Sequence, residues 1–446
     1  VPNSVISTDE EVFDKWCIDS EKTTEFSSLT MTENKTLYAK YNITEYDIPY
    51  DLDGGNWITG YTYPTKYNYT ENFVLPALTN LKKEAYTPSA WTVNNVTYTS
   101  LTPAIMYQNF GSTSQKPLKV KWTPITYTIK YDVGGHSSVP ANKVKTYGVN
   151  YTVPTPIGIA QGYTFVGWYK EAALTNEYTG TDDLTVNAGE IKTVYAKWKA
   201  RLTYNVNGHG SISPTYVDVV LDDATTLPSL TDVVGYAPEG KWYGESGCTT
   251  EVGSFGSSYT VERPKTIYAK WTEKTYNINY EMFGGSFVSG YTAPTTRKYT
   301  ESKVLPVAAN VQKTNNVFKG WFSQDGSVSG NWGTQVTSIA ANTGEDKTVY
   351  AKWNPSYTVT FDVVNGKNTE EGNYQAPAGT VAPASQNIEN GYKATKPANP
   401  TAEHSKFIGW YEDINCTTEF NFTTKTITEN TTIYANYTPI TYTITY

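Results

Sequence analysis

A short closing motif recurs along the chain and divides it into repeated units. In its clearest copies it reads Tyr-Ala-Lys-Trp, and its six occurrences end at Tyr41, Trp122, Trp198, Trp271, Trp353 and Tyr437. Midway through each copy lies a second landmark, a tryptophan, at Trp16, Trp91, Trp168, Trp242, Trp321 and Trp410. Successive copies are roughly 73 to 84 residues apart, a period that indicates small tandem domains rather than solenoid turns.

Each complete copy opens with residues that alternate between two faces. In one copy Tyr276, Ile278 and Tyr280 share one face, while Asn277 and Asn279 share the other. This period of two is typical of a strand with one solvated side, and no segment has a sustained helical period. Aromatic residues make up 14% of the chain, which suits many short, half-buried strands. We predict a mainly β protein with at most one short helix per unit.

The two landmarks predict a tandem array of small domains with antiparallel or mixed sheets, arranged as beads on a string. The predicted units are an incomplete one at 1–41 (module 1), complete ones at 42–122, 123–198, 199–271, 272–353 and 354–437 (modules 2 to 6), and a lone strand at 438–446 (the tail).

The order of these motifs resembles the Listeria–Bacteroides repeat, also called the internalin B repeat. The resemblance is clearest in Phe165-Val166-Gly167-Trp168-Tyr169 followed by residues 193–198, and it extends over essentially the whole chain. It implies an α+β, β-grasp-like module that is secreted and strung in tandem on microbial cell surfaces, as a stalk or adhesion element. It brings no catalytic residues with it. Module 2 departs from the pattern, because Val120-Lys121-Trp122 lacks the Tyr-Ala pair.

Charge and hydropathy restrict the possible partners. The net charge of −8 and the pI near 5.2 argue against nucleic acid, which requires a basic face. No apolar run approaches the ~18 residues that span a bilayer, so no transmembrane segment is predicted. Cys17, Cys248 and Cys416 fall in different modules, which argues against a disulfide framework. The resemblance to a secreted repeat implies an extracellular or cell-surface setting.

The residues that could carry chemistry do not form a recognisable catalytic or metal-binding pattern. His136, His209 and His404 are spread over separate modules, and acidic pairs such as Asp182-Asp183 lack calcium-loop spacing. No nucleophile, phosphate-loop or zinc motif occurs. We predict no enzyme activity and no cofactor or metal. The recurring tryptophans are interpreted as core residues, with sugar-stacking platforms as the alternative.

Nine Asn-x-Ser/Thr sequons are present, about the number that chance gives in a chain so rich in Asn and Thr. If the source glycosylates secreted proteins, the candidates for N-glycosylation are Asn34, Asn42, Asn68, Asn95, Asn150, Asn415, Asn421, Asn430 and Asn436.

The two ends of the chain show complementary defects. Module 1 has no opening strand, whereas the tail nearly duplicates residues 123–131, which open module 3. The tail places Ile440, Tyr442, Ile444 and Tyr446 on one face, and their burial would yield on the order of 6 to 12 kcal/mol before ordering costs. The predicted acceptor residues in module 1 are Phe13, Trp16, Leu37, Tyr38 and Tyr41.

These defects predict a structural filament subunit that polymerises head to tail by donor-strand insertion, with itself as partner. Two alternatives remain open. The chain is a window on a longer tandem-repeat surface protein, or it is an adhesin that binds host surfaces or glycans.

Overall fold

The computed structural model describes residues 11–28, 30, 32–110, 115–363 and 376–445. The described chain divides into two compact parts. The first comprises residues within 1–203, 216–225 and 258–266, and the second comprises residues within 204–215, 226–257 and 267–446. Tyr446 and residues 1–10 lie outside the described residues.

In the first part, module 1 is a two-stranded antiparallel sheet of Glu11–Cys17 and Tyr38–Ile43. Module 2 has a four-stranded sheet in the order Tyr50–Asp51, Leu118–Pro124, Tyr86–Val93, Val96–Tyr98. Two small ribbons accompany it, Tyr46–Asp47 with Lys66–Tyr67 and Asn56–Trp57 with Leu81–Lys82. Its helices are a 3₁₀ turn, Leu78–Asn80, and an α-helix, Pro103–Phe110, which is one more than the single short helix predicted for a unit.

Module 3 shows the common plan most clearly. Its opening strand, Thr126–Asp132, pairs antiparallel with Lys143–Thr146 and parallel with the start of Ile191–Asn205. The strand that carries the landmark tryptophan, Tyr163–Tyr169, pairs antiparallel with the same long strand. The closing strand therefore lies between the opening strand and the tryptophan strand. The strands that follow along the chain, through module 4, are Tyr216–Val220, Ala224–Thr226, Tyr236–Tyr243, Glu251–Ser254, Ser258–Thr260 and Lys265–Glu273.

The second part repeats this plan. In module 5 the sheet order is Thr296–Lys298, Thr275–Glu281, Lys347–Asp362, Asn316–Phe322, Gln335–Val336, and the strands of module 6 are Gln386–Glu389, Ser405–Tyr411 and Thr431–Pro439. Two ribbons, Ser286–Phe287 with Val311–Gln312 and Lys303–Val304 with Ser338–Ile339, and a 3₁₀ turn, Ala308–Asn310, complete module 5. The long strand Lys347–Asp362 closes module 5 and opens module 6.

The landmark tryptophans of modules 2 to 6 lie in the cores, as predicted. Each is buried, and each packs against an aromatic ring of its opening strand, since aromatic pairs stabilise cores beyond their buried area. The pairs and their ring-centroid distances are Trp91–Tyr50 (5.7 Å), Trp168–Tyr131 (4.8 Å), Trp242–Tyr204 (5.5 Å), Trp321–Tyr280 (4.9 Å) and Trp410–Phe361 (5.1 Å).

The prediction of a mainly β chain with many small sheets in tandem is confirmed. The structure does not identify the sheets as a β-grasp. The division into modules stays a prediction. All six of its boundaries fall inside strands, two of them inside the long strands Ile191–Asn205 and Lys347–Asp362. Among the described residues, no helix has the length and apolar character needed to cross a membrane.

Candidate functional site

Module 1 carries a strand edge that is occupied in the other modules. Residues 34–37 precede the strand Tyr38–Ile43 and have no strand partner within the described part of the chain. The tryptophan strand of module 1 pairs Cys17 with Tyr38, as module 3 pairs Tyr169 with Tyr195. By this register, residues 34–37 correspond to residues 191–194, which pair with the opening strand of module 3.

The side chains beside this edge are less buried than their counterparts. Leu37 is half-buried, whereas the corresponding Val194, Val349 and Ile433 are fully buried. Lys35 is exposed and forms an ion pair with Glu33, so it remains at the surface. An unpaired edge next to an incompletely covered apolar face is a template for strand addition.

The landmark tryptophan of module 1 is also incompletely covered. Trp16 is half-buried, and Phe13 contacts both Trp16 (5.7 Å) and Tyr41 (5.9 Å) between ring centroids. The structure thus brings Phe13, Trp16 and Tyr41 together, with Leu37 and Tyr38 on the adjoining strand. In modules 2 to 6, the ring from the opening strand covers the equivalent tryptophan.

The tail exposes the side chains that its internal counterpart buries. Tyr442 and Ile444 are 69% and 74% exposed, whereas Tyr127 and Ile129 in module 3 are 1% and 0% exposed. Residues 440–445 pair with no strand among the described residues. The side chain of Tyr442 reaches His404, with 3.3 Å between its hydroxyl and Nδ1.

The tail leaves module 6 through a hydrogen bond that also begins the connections after modules 2, 3, 4 and 5. The backbone N–H of Ile440 donates to the carbonyl oxygen of His404 at 2.9 Å. The same bond joins Ile125 to Ala85, Arg201 to Gly162, Lys274 to Gly235 and Ser356 to Asn315, and each acceptor residue has a positive φ. We call this bond the junction bond. It directs the start of the tail as it directs the internal opening strands.

The junction bond was missed at the sequence level, because its acceptor is Ala, Gly, Asn or His. The signal that could have revealed it is positional, since each acceptor lies six or seven residues before the landmark tryptophan. A second missed feature is the hydrogen bond from the indole Nε1 to a proline carbonyl. It joins Trp91 to Pro76, Trp168 to Pro154, Trp242 to Pro228 and Trp321 to Pro306, at 2.7 to 2.8 Å.

The other candidate residues show no clustering. Seven of the nine sequon asparagines are exposed, whereas Asn68 and Asn436 are half-buried, and glycosylation stays a prediction. His136 and His209 are half-buried and stack on Tyr163 and Tyr236, whereas His404 is exposed. Within the described residues, no group of three or more His, Cys, Asp or Glu side chains could hold a metal ion.

The tandem β modules place the chain in the class of repeat-built proteins. The profile of the Listeria-Bacteroides repeat domain matches residues 2–40, 127–197, 201–270, 276–352 and 357–436. The chain therefore belongs to the Listeria–Bacteroides repeat family, whose members are typically structural surface proteins rather than enzymes. Module 2, which departs from the closing motif, lies outside the matched stretches.

Two similar proteins come from Evansella cellulosilytica. One, named "Putative membrane protein", is 30% identical over 249 residues, which are 55% of this chain and 33% of that protein. The other, named "Putative Gly-rich membrane protein", is 28% identical over 292 residues, which are 65% of this chain and 30% of that protein. The matched stretches thus span about a third of the length of these relatives. Together with the repeat family, they indicate a tandem-repeat protein of the cell surface.

Proposed function

We propose that the chain is a structural element of a cell-surface fibre whose copies join head to tail by strand addition. The tail of one copy pairs with residues 34–37 of the next, in the place that an opening strand takes within a module. The observation that carries this proposal is the edge at residues 34–37, which has no strand partner among the described residues and lies beside the half-buried Trp16.

The register of the joint follows from the internal modules. Module 3 pairs Thr128 with Ile191 and Ile129 with Lys192 in parallel. Because residues 438–446 align with 123–131, the tail would place Thr443 opposite Asn34 and Ile444 opposite Lys35. Tyr446 would then correspond to Tyr131, the ring that covers the landmark tryptophan in module 3.

The joint should be weaker than the inside of a module. Burial of Tyr442 and Ile444 contributes about 1.5–3 kcal/mol each, from which the ordering of the tail and the loss of translational freedom subtract. We therefore expect association at high local concentration, as on a crowded cell surface.

Analytical ultracentrifugation over a concentration series tests the proposal. The unaltered chain should form linear oligomers, and deletion of residues 440–446 should leave monomers. Ile444→Asp places a charge on the buried face and should abolish association, whereas Thr443→Asp, on the opposite face of the same strand, should retain it. Both substitutions lie in the exposed tail, so neither disturbs a module.

Three outcomes would contradict strand addition. The unaltered chain could be monomeric at all concentrations, or Ile444→Asp could leave its oligomers intact. A longer polypeptide could also fill the edge with its own upstream residues, and a chain carrying those residues would stay monomeric. In each case the family's structural role would remain.

The glycan-binding alternative has no comparable observation in its favour. That hypothesis expects exposed tryptophan rings, yet each of the twelve tryptophans is buried or half-buried. Host or glycan binding stays a prediction without a site.

A further inference from the structure

The order of strands within a module determines how tension along the chain loads the hydrogen bonds between those strands. In module 5 the opening strand Thr275–Glu281 and the closing segment 347–350 are adjacent and parallel, with Ile278 opposite Lys347 and Glu281 opposite Tyr350. The same arrangement pairs Thr128–Asp132 with Ile191–Tyr195 in module 3 and Val359–Asp362 with Thr431–Tyr434 in module 6. In each of these modules, the strand that enters the module lies directly beside the strand that leaves it.

Two parallel strands pulled from opposite ends are loaded in shear. Tension along the chain pulls the opening strand of module 5 at its N-terminal end and the closing strand at its C-terminal end. The inter-strand hydrogen bonds then lie across the force, share it, and must break together. If the same strands were pulled from one end, the bonds would break one at a time.

The side chains of the opening strand add resistance to sliding. Ile278 is buried in the core of module 5, and the ring of Tyr280 packs 4.9 Å from Trp321. The Tyr280 hydroxyl also donates to the carbonyl oxygen of Pro294 at 3.0 Å. The opening strand therefore cannot shift along its neighbour without removing these groups from their partners.

Tension passes from module 5 to module 6 through one continuous strand. Lys347–Asp362 pairs with the opening strand of module 5 in its first part and with Thr431–Tyr434 of module 6 in its last part. No flexible linker lies between the two pairings. The junction bond from Ser356 to Asn315 and the ion pair between Lys319 and Glu389 (3.1 Å) further hold this region.

We propose that these modules have a mechanical function, in which each parallel pair of opening and closing strands acts as a clamp against tension along the chain. The proposal concerns forces within one chain, so it does not depend on head-to-tail assembly. It assigns the repeats a role in holding a surface protein extended under pulling or flow.

Single-molecule force spectroscopy on the full chain tests the clamp by changing only the direction of pulling. With handles at the two termini, each module should unfold as a separate peak that releases ~26 nm, from about 75 residues at ~3.5 Å per residue. With handles on cysteines introduced at Thr275 and Glu345, which lie at the same end of the two strands, module 5 should open at a severalfold lower force. The three native cysteines are replaced by alanine in both proteins.

Comparing rupture forces in the two pulling directions separates the effect of load geometry from the effect of the free energy of unfolding. Forced unfolding depends on the unfolding rate along the direction of pull rather than on the free energy of unfolding. The test is cleanest when one protein carries both sets of handles. Its free energy of unfolding is then the same in both experiments, and only the direction of pulling differs. A severalfold difference in rupture force supports the clamp, and equal forces in the two directions would overturn it.

Discussion

At the residue scale, the indole hydrogen bond fixes the landmark tryptophan within its module. Trp168 is buried in module 3, and its Nε1 donates to the carbonyl oxygen of Pro154 at 2.7 Å. The bond is part-buried, and a carbonyl that loses its donor in such a place is destabilising, because water replaces the bond incompletely. Trp410 is equally buried, but its Nε1 has no hydrogen-bond partner in the described part of the chain. The two residues differ in this bond while sharing the same place in their modules.

We predict that Trp168→Phe destabilises module 3 more than Trp410→Phe destabilises module 6. Both variants lose part of a ring, whereas only the first leaves an acceptor without its donor, which should add about 1–3 kcal/mol. Hydrogen exchange of peptides from each module, followed through a urea titration, measures both changes. Equal destabilisation would show that the bond to Pro154 adds nothing.

A buried ion pair in module 3 is a second feature at this scale. Lys145 contacts Asp183, whose carboxylate also accepts from the Gly148 N–H at 2.8 Å. Burial acts to raise the pKa of Asp183, but the hydrogen bonds from Lys145 and Gly148 outweigh it, so the pKa is lowered. In module 5 the equivalent cation is Arg297, which is buried against the carbonyls of Thr343 and Glu345.

Asp183→Asn should destabilise module 3 toward the lower end of about 3–5 kcal/mol, because it leaves the Lys145 charge buried without its partner. The lowered pKa adds a pH dependence of definite sign. The stabilisation is present above the unfolded-state pKa of about 3.9 and is lost as the pH falls through the lower folded-state pKa. Urea titrations at pH 7 and pH 3 should therefore show a larger loss in the unaltered module than in the variant, which retains the losses due to Glu171 and Glu190, whose pKa values are also lowered.

Glu345→Gln is the matched control for this prediction. Glu345 forms an exposed ion pair with Lys347, and such pairs contribute about 0–1 kcal/mol. A comparable effect of the two substitutions would contradict the importance of burial at Asp183.

The sequence predicted the tryptophan cores but not this ion pair. The alternation in residues 143–146 suggests that Val144 faces inward and the lysines outward. In the structure Val144 is 64% exposed and Lys145 is 2% exposed, because Lys145 lies opposite Tyr127, whose side chain faces the core. The register of the strand pairing, rather than the alternation in residues 143–146, therefore decides which side chain faces the core. Asp183, which compensates the charge, comes from a loop 38 residues away.

At the element scale, the junction between modules 4 and 5 depends on a residue without a side chain. Gly235 has a φ of +82° and accepts the junction bond from Lys274. A Cβ at this position would lie 2.3 Å from the ring of Tyr299. Gly240, five residues later, has a φ of +83° with open space around it. The two glycines therefore share a backbone conformation and differ in what packs against them.

We predict that Gly235→Ala is more destabilising than Gly240→Ala. Both incur about 1–2 kcal/mol for a left-handed alanine, and only Gly235→Ala must displace Tyr299, at about 1–3 kcal/mol more. Hydrogen exchange across residues 236–299 should locate the extra loss at the junction. If both variants behave alike, the packing of Tyr299 does not stabilise the junction.

At this scale the sequence predicts individual strands but not which strands pair with each other. The alternation at Tyr276, Ile278 and Tyr280 predicted the opening strand, which the structure has at Thr275–Glu281. Its partner begins at Lys347, 69 residues after Ile278, and no local pattern specifies a parallel pairing over that distance. Residues 296–305 form two short strands with separate partners, Thr296–Lys298 and Lys303–Val304, which local alternation does not specify either.

At the scale of the whole molecule, the parallel pairing of an opening strand with a closing strand has several roles. A parallel opening strand completes a module, and the continuous strand Lys347–Asp362 links one module to the next. The tail repeats the sequence of an opening strand, and its Tyr442 and Ile444 side chains are exposed. A joint between copies would therefore use the pairing that closes modules 3, 5 and 6. It would also bear tension in the same shear geometry.

The register of that joint leads to our last prediction. Parallel neighbours lie about 4.8 Å apart, within the separation of roughly 4.4–6.8 Å that a disulfide bridges. With the native cysteines replaced by alanine, Lys35→Cys combined with Ile444→Cys should yield a ladder of disulfide-linked chains on oxidation, resolved by non-reducing electrophoresis. Lys35→Cys with Thr443→Cys shifts the second thiol by one residue to the opposite face and should remain uncrosslinked. Equal ladders from both pairs would exclude this register, and none from either would exclude the pairing.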